Sequence, residues 1–84
     1  MVPVTIYTRD GCGYCARAKA LLTSKGADFV EYNATQNPDY RQEMMDRSGG
    51  RTFPQIFIGE EHIGGCDDLH ALDARGELDA KLAG

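Results

Sequence analysis

The sequence predicts an α/β fold, a four-stranded mixed sheet with helices on both faces and the element order β-α-β-α-β-β-α. Two patterns support this prediction. Strand-like segments at 2–7 and 28–32 flank a helix-like segment at 14–25, and strands joined through a helix are parallel. Strand-like segments at 55–58 and 62–64 are separated by a Gly-Glu-Glu turn, and strands joined by a tight turn are antiparallel.

Composition and end signals define the elements of the first half. Residues 2–7 (VPVTIY) are mostly β-branched or aromatic, with Pro3 near the start of the predicted strand. Residues 14–25 combine alanine and leucine with lysine and arginine, as helices do, and Gly26 follows as the C′ residue. Residues 28–32 (DFVEY) alternate apolar and polar side chains and predict the second strand.

Two further helical segments are predicted. Asn37 is suited to be the N-cap and Pro38 the first residue of a helix over 38–48, which two glycines end. The acidic pair at 67–68 begins a last helical stretch, with a break near Gly76. Its apolar side is made of leucines: Leu69, Leu72, Leu78 and Leu82.

Length, charge and cysteine content limit the class of protein. The chain is short enough to be one domain, residues 1–84. No segment has the apolar length of a membrane span, and the first ten residues lack a secretory signal pattern, so a cytoplasmic protein is expected. The net charge of −4 argues against a nucleic-acid binder. Three cysteines, an odd number, favour reduced thiols over a framework of paired disulfides.

The candidate chemistry lies in residues 9–15 (RDGCGYC), between the first strand and the first helix. Cys12 falls at the helix N-terminus, where free amides and the helix dipole favour an anion such as a thiolate. Thiols in such positions have pKa values lowered from ~8.5 to ~3.5–7.5, and the thiolate is the form that attacks disulfides. Arg9 adds a nearby positive charge. Cys15 lies one turn further along the same side, within reach of Cys12, and would resolve a disulfide formed there.

A zinc site or two structural thiols are the alternative interpretations of C-x-x-C. Zinc needs four ligands, and the remaining candidates are Cys66, His62 and His70, with no second C-x-x-C or H-x-x-x-H pair. The βαβ context favours redox chemistry, and the two histidines are assigned no role.

Three further segments are candidates to surround the thiol. Tyr14 is either a core aromatic or a stacking wall beside the sulfur, and its loop-to-helix position favours the wall. Pro54 has no N–H, which leaves the main chain of Phe53 free to pair with an extended peptide, and sequence alone does not establish a cis bond here. Residues 64–68 (GGCDD) suit a carboxylate on backbone amides or a simple turn with an N-cap, while Cys66 by itself is typical of a small buried side chain.

Together these segments resemble the glutaredoxin family of the thioredoxin fold, most closely the short bacterial dithiol glutaredoxins of the glutaredoxin 3 type. Residues 6–22 (IYTRDGCGYCARAKALL) resemble the family's first strand, redox motif and helix. Residues 51–59 (RTFPQIFIG) resemble its Thr-Val-Pro segment, and residues 62–78 (HIGGCDDLHALDARGEL) its Gly-Gly-Cys-Asp-Asp region.

The resemblance implies a glutathione-disulfide oxidoreductase with Cys12 as nucleophile, Cys15 as resolving thiol and glutathione as co-substrate. The implied glutathione contacts are Arg9, Tyr14, Arg51, Thr52, Phe53, Pro54, Gly65, Cys66 and Asp67. In this assignment the Thr52-Phe53 main chain pairs with the cysteinyl residue, the arginines meet carboxylates, and the Cys66-Asp67 pair holds the γ-glutamyl end. The implied partners are disulfide-bonded or glutathionylated proteins, ribonucleotide reductase among them, and a monomer is expected.

Two residues depart from the family pattern, since Gly13 replaces a proline and Phe53 replaces a valine. Gly13 removes a fixed φ next to Cys12, which loosens the loop and alters the redox poise of the pair. Relatives with a small residue at that position resemble those that share an iron-sulfur cluster between two subunits. A form with a [2Fe-2S] cluster held by Cys12 and glutathione is therefore a secondary expectation. The main form is expected to have no cluster. A thioredoxin-like reductase is disfavoured because the chain has no tryptophan.

Overall fold

The computed structural model describes residues 2–84, and within them four strands form one sheet in the order β2-β1-β3-β4. The strands are β1 (Val4–Thr8), β2 (Phe29–Asn33), β3 (Gln55–Ile58) and β4 (Glu61–Gly64). The helices are α1 (Gly13–Ser24), α2 (Asp39–Ser48), α3 (Cys66–Ala74) and α4 (Leu78–Ala83). The predicted mixed sheet with helices is confirmed.

The strand directions follow from the connections, as the sequence predicts. β1 runs parallel to β2, with Val4 opposite Phe29, and antiparallel to β3, with Val4 opposite Ile58. β3 and β4 form the antiparallel hairpin, whose register shifts between Ile56 and Phe57. The shift leaves Ile63 as the extra residue on β4, between His62 opposite Phe57 and Gly64 opposite Ile56.

Alternation along the central strands gives the sheet two buried faces. On one face, Val4 and Ile6 contribute to a large core that also takes in side chains from α1, α3 and α4. On the other face, Tyr7 and Phe57 pack with Met44 of α2 in a smaller core. Helices therefore cover both faces, and within residues 2–84 none of them is long and apolar enough to cross a lipid bilayer.

Two element ends differ slightly from the predicted ones. β1 begins at Val4 because Pro3 has no N–H for the ladder, although its carbonyl still accepts from Gly59 N–H at 2.8 Å. α2 begins at Asp39, one residue later than predicted. The N-cap is Pro38, not Asn37 as the sequence predicts, and the Asn37 side-chain oxygen accepts the Asp39 amide at 3.1 Å from the residue before the cap.

The last helical stretch is divided at its predicted break. Gly76 has a φ of +75° and separates α3 from α4, and the amide of Glu77 donates to the Leu72 carbonyl at 2.9 Å. Lys25, at the end of α1, lies 2.6 Å from Asp73 and 3.1 Å from Asp79, so one ammonium ties three helices together.

An ion pair at the sheet edge makes the stability of the fold depend on pH. The hydroxyl of Thr8 donates to Glu31 at 2.6 Å, and Lys19 lies 3.0 Å from the same carboxylate. The Thr8 hydrogen bond first, and then Lys19, hold the pKa of Glu31 below its ordinary value against the opposing effect of burial. A carboxyl with a lowered folded-state pKa stabilises the fold above its unfolded pKa, and this stabilisation is lost as pH falls through the folded value.

Replacement of Glu31 by glutamine is therefore expected to lower the free energy of unfolding by about 0.5–1 kcal/mol at pH 7, a value discounted for solvent screening. The difference between wild type and Glu31→Gln should shrink towards pH 3, where the wild-type carboxyl takes up a proton. Urea unfolding at both pH values measures this. A difference that stays constant with pH would contradict the assigned role.

Candidate active site

Cys12 is the N-cap of α1, and its sulfur takes the place that a serine or aspartate oxygen usually takes. Its backbone is extended, with φ −101° and ψ 103°, and Sγ accepts the backbone N–H of Cys15 at 3.1 Å. Across α1, which the structure describes throughout, the first turn carries no acidic side chain. The N-terminus of α1 would therefore stabilise a thiolate at Cys12.

The two cysteines of the motif differ in access to solvent. They form a disulfide, with Cα atoms 5.2 Å apart, which lies inside the range for an unstrained backbone. Cys12 is half-buried, whereas Cys15 is 2% exposed and packs behind it. An incoming disulfide therefore meets Cys12 first, and Cys15 is reached only from Cys12.

The loop before Cys12 is held against the end of β2. The amide of Asp10 donates to the Thr35 hydroxyl at 3.0 Å, and Asn33 donates to the Asp10 carboxylate at 2.9 Å. Gly11 follows with a φ of +69°, a left-handed conformation that favours glycine. These contacts direct the chain from β1 into the helix with the sulfur at its tip.

The segment 52–54 forms the opposite rim of the site. The Phe53–Pro54 peptide bond is cis, which the sequence alone did not establish. Cys12 Sγ lies 3.9 Å from the Phe53 carbonyl oxygen, so this main chain borders the sulfur. Thr52 is exposed, and its carbonyl and hydroxyl oxygens both accept from the Gln55 side chain.

An open groove of about 330 Å³ runs from this rim to the start of α3. Seven residues predicted from the sequence line it: Tyr14, Thr52, Phe53, Pro54, Gly65, Cys66 and Asp67. Gly64 and Asp68, from the predicted 64–68 segment, line it too, whereas Gln55 and His62 were given no role by the sequence. The groove thus brings together three segments that are far apart in sequence, next to the Cys12 sulfur.

The two predicted arginines lie outside this groove. Arg9 lines a separate hollow of about 130 Å³, which it shares with Arg41 and Phe53. Phe53 lines both cavities, so the hollow lies beside the groove at this residue. Arg41 was missed because its position depends on how α2 packs, and a single arginine in a helix carries no signal for that. Arg51 is exposed and lines neither cavity.

The far end of the groove is the N-terminus of α3, with Gly65 as N-cap. The Asp68 carboxylate accepts the Gly65 amide at 3.0 Å, which is one half of a capping box, because a glycine N-cap has no side chain to accept a hydrogen bond in return. The following amides, at the first turn of a helix, have no partner within the helix and suit a carboxylate. Cys66 is 3% exposed and packs in the large core. Burial raises the pKa of its thiol, which suits the predicted role of a small buried side chain.

Tyr14 forms the outer wall of the site. Its side chain is 56% exposed, and the Arg17 guanidinium lies 6.0 Å from its ring centre. The stacking wall predicted from the sequence therefore fits the structure better than the core aromatic. Among residues 2–84, no three histidine, cysteine or carboxylate side chains come together as a metal site.

The comparisons with known proteins agree with this geometry. The Glutaredoxin family model matches residues 4–63. The chain is 60% identical to glutaredoxin 3 of Escherichia coli strain K12 over 98% of this chain and 99% of the relative. This chain belongs to the glutaredoxin family. As a glutaredoxin it has the thioredoxin fold and the general role of a thiol-disulfide oxidoreductase, with Cys12 and Cys15 as its disulfide-forming pair.

Two solved glutaredoxin structures are similar throughout. The solution structure of a glutaredoxin from Brucella melitensis is 63% identical, with a TM-score of 0.84 over 98% of this chain and 89% of that one. The crystal structure of a buckwheat glutaredoxin-glutathione complex is 33% identical, with a TM-score of 0.89 over 98% of this chain and 77% of that one.

The glycine between the cysteines is placed where a proline fits. Gly13 is the first residue of α1, its φ is not in the left-handed region, and a Cβ added there would meet no atom within 4 Å. Cys12, just before it, already has the extended backbone that a following proline requires. A proline at position 13, which the family usually has, therefore fits both the backbone of Cys12 before it and the start of α1.

Replacement of Gly13 by proline is expected to raise the free energy of unfolding by about 0.4–1 kcal/mol, because it restricts the unfolded chain without straining the folded one. The matched control is Gly11→Pro, which should destabilise because φ at Gly11 is +69° and proline cannot adopt it. Chemical denaturation of the reduced proteins measures both. A destabilised Gly13→Pro variant would contradict the helix-start geometry.

Proposed function

We propose that this glutaredoxin is a glutathione-dependent thiol-disulfide oxidoreductase that reduces protein disulfides and glutathione mixed disulfides. The observation that carries the proposal is the position of the Cys12 sulfur. It caps α1 and lies 3.9 Å from the carbonyl oxygen of Phe53, which lines a groove that also has main-chain and helix-terminal groups along its length. A peptide whose own sulfur meets Cys12 can lie along that groove.

Glutathione is the proposed peptide because its groups match those of the site. Its cysteinyl main chain would pair with Thr52 and Phe53, as an extended peptide pairs with an open strand edge. Its γ-glutamyl carboxylate would meet the amides at Cys66 and Asp67, and the Asp67 carboxylate would meet the ammonium. The solved buckwheat structure in complex with glutathione supports this arrangement by similarity.

The other carboxylate of glutathione lies at its glycine end. We assign it to Arg9 and to Arg41, which line the hollow on the other side of Phe53. Arg51, exposed beside Thr52, remains a predicted contact.

The unpaired arginines favour an anionic substrate. Among residues 2–84, four arginines without a carboxylate partner are close to the groove or the hollow: Arg9, Arg17, Arg41 and Arg51. These free guanidinium groups suit the two carboxylates of glutathione, while the groove's own Asp67 suits its ammonium.

The proposed reaction with a glutathione mixed disulfide has two exchanges. The Cys12 thiolate attacks the glutathione sulfur, a Cys12-glutathione disulfide forms, and the substrate thiolate leaves and takes a proton from solvent. A second glutathione thiolate then attacks the bound glutathione sulfur, which releases glutathione disulfide and restores the Cys12 thiolate. Cys15 takes no part in this route.

A protein disulfide would be reduced through both cysteines. Cys12 attacks one substrate sulfur, and Cys15 then attacks Cys12, which frees the reduced substrate and leaves the Cys12–Cys15 disulfide. This is the form that the structure has. Two glutathione molecules return it to the dithiol and leave as glutathione disulfide. We propose glutathionylated proteins and ribonucleotide reductase as protein substrates, on the family resemblance alone.

We further propose that residues 1–84 act as one cytoplasmic domain and a cluster-free monomer. Cys12 is the one sulfur of the motif that is accessible, since Cys15 is buried, so a [2Fe-2S] cluster would need a second chain and glutathione to complete its ligands. Anaerobic reconstitution followed by sizing tests this. A coloured dimer retained after chelation would contradict the monomer as the main form.

The experiment that tests glutathione dependence compares two sources of electrons. Reduced glutathione with glutathione reductase is expected to support turnover of a glutathione mixed disulfide, whereas thioredoxin reductase alone is expected to support none. Equal or greater activity with thioredoxin reductase would overturn the proposed co-substrate.

A further inference from the structure

A chain of side-chain hydrogen bonds joins the hairpin to the rim of the groove. His62 Nε2 lies 2.7 Å from Gln55 Oε1. Gln55 Nε2 lies 3.0 Å from the Thr52 carbonyl oxygen and 3.1 Å from its hydroxyl. The chain therefore runs from β4 through β3 to the segment before Pro54, and its three members line the groove. None of them has a part in the exchange of sulfurs described above.

The direction of each hydrogen bond follows from Thr52. A carbonyl oxygen only accepts, so the Gln55 nitrogen must be the donor and its oxygen must face His62. The oxygen in turn needs a donor, which assigns the proton to His62 Nε2. Nε2 carries that proton both in this neutral tautomer and in the charged ring, so the chain persists whichever form is present.

The middle member of the chain, Gln55, is the one that burial holds in place. Gln55 is 5% exposed, and a buried amide without its hydrogen bonds would be costly. The ring of His62 packs 4.9 Å from the centre of Phe57, which the Arg47 guanidinium covers at 4.1 Å. Thr52 and His62, at the two ends of the chain, are both exposed. The buried amide thus determines where the exposed carbonyl lies, rather than the reverse.

We propose that Gln55, held by His62, is a positioning residue that orients the Thr52-Phe53 main chain to pair with the cysteinyl residue of glutathione. This inference rests on the proposed function and names the residue that orients the rim for glutathione. Loss of the Gln55 contact leaves the Cys12 sulfur and its helix unchanged. It should therefore weaken the binding of the mixed disulfide without slowing the attack on it.

Two variants remove the contact in different ways. Gln55→Glu keeps the length of the side chain and an acceptor for His62, but cannot donate to the Thr52 carbonyl. Gly50→Ala keeps glutamine at position 55, but the added alanine Cβ would lie 3.0 Å from Gln55 Nε2 and push the amide away from Thr52. φ at Gly50 is not in the left-handed region, so alanine fits the backbone there. Gln42→Glu on exposed α2 is the matched control for added charge.

The measurement is steady-state turnover of a glutathione mixed disulfide, together with the rate at which iodoacetamide alkylates Cys12. In both Gln55→Glu and Gly50→Ala, KM should rise about three- to tenfold, with kcat within roughly twofold of wild type and alkylation unchanged. Gln42→Glu should match wild type. Unchanged KM in either variant, or a parallel fall in kcat and alkylation, would overturn the proposal. An inactive wild type would instead refute the proposed function, and this inference with it.

Discussion

Cys12→Ser is expected to abolish turnover of a glutathione mixed disulfide, a loss of about a thousandfold or more, because no other accessible sulfur borders the groove among residues 2–84. Cys66 lines the groove but is buried, and burial raises the pKa of its thiol, so it does not supply a substitute thiolate. Coupled turnover with glutathione and glutathione reductase measures the loss.

Cys15→Ser is the matched variant, because it removes one sulfur from the same motif. It should keep turnover of the glutathione mixed disulfide within a few-fold of wild type, since glutathione itself can resolve the intermediate. The N–H of residue 15 that caps the Cys12 sulfur belongs to the backbone and survives the substitution. The variant should nevertheless lose the reduction of protein disulfides. Equal losses of mixed-disulfide turnover in both variants would contradict the separate roles of nucleophile and resolving thiol.

Gly64→Ala is expected to lower the free energy of unfolding by about 2–4 kcal/mol, the largest stability effect we predict near the site. Gly64 has a φ of +115°, which strains any side chain, and an added Cβ would lie 2.8 Å from Asp68 Cγ. To avoid the added Cβ, the Asp68 carboxylate would have to move, and its hydrogen bond from the Gly65 amide would be lost. The substitution therefore strains the backbone and opens the α3 cap at once.

Two controls separate these effects. Gly76→Ala also has a left-handed φ, +75°, but its Cβ would meet no atom within 4 Å, so it should cost only about 1–2 kcal/mol. In the double variant with Asp68→Ala, the loss should be about 1 kcal/mol smaller than the sum of the single losses. Denaturant unfolding measures all four variants. Equal costs at Gly64 and Gly76 would contradict the close approach of Asp68.

The fold was predictable because its signals are local. Periodicity predicted the strands and helices, the connections predicted which strands are parallel, and the C-x-x-C motif fell at the predicted start of α1. Family membership, predicted from three short segments, is confirmed. The same segments predicted seven of the groove-lining residues, which geometry brings together. Their contacts with glutathione remain predictions.

What sequence reasoning missed depends on tertiary placement. His62 was assigned no role, although it lines the groove and bonds Gln55. In the ladder it lies opposite Phe57, and Gln55, two residues before Phe57 on the same strand face, is its diagonal neighbour. Arg41 reaches the hollow through the packing of α2. Neither position follows from spacing along the chain.

The most direct test of the account is the pH dependence of iodoacetamide alkylation at Cys12, followed by mass spectrometry in the reduced Cys15→Ser protein. We predict that the rate reaches half its maximum well below the ~8.5 of a free cysteine, because α1 begins at this sulfur and its amides favour the thiolate. Alkylation that follows the pH profile of free cysteine would contradict the claim that the helix N-terminus activates Cys12.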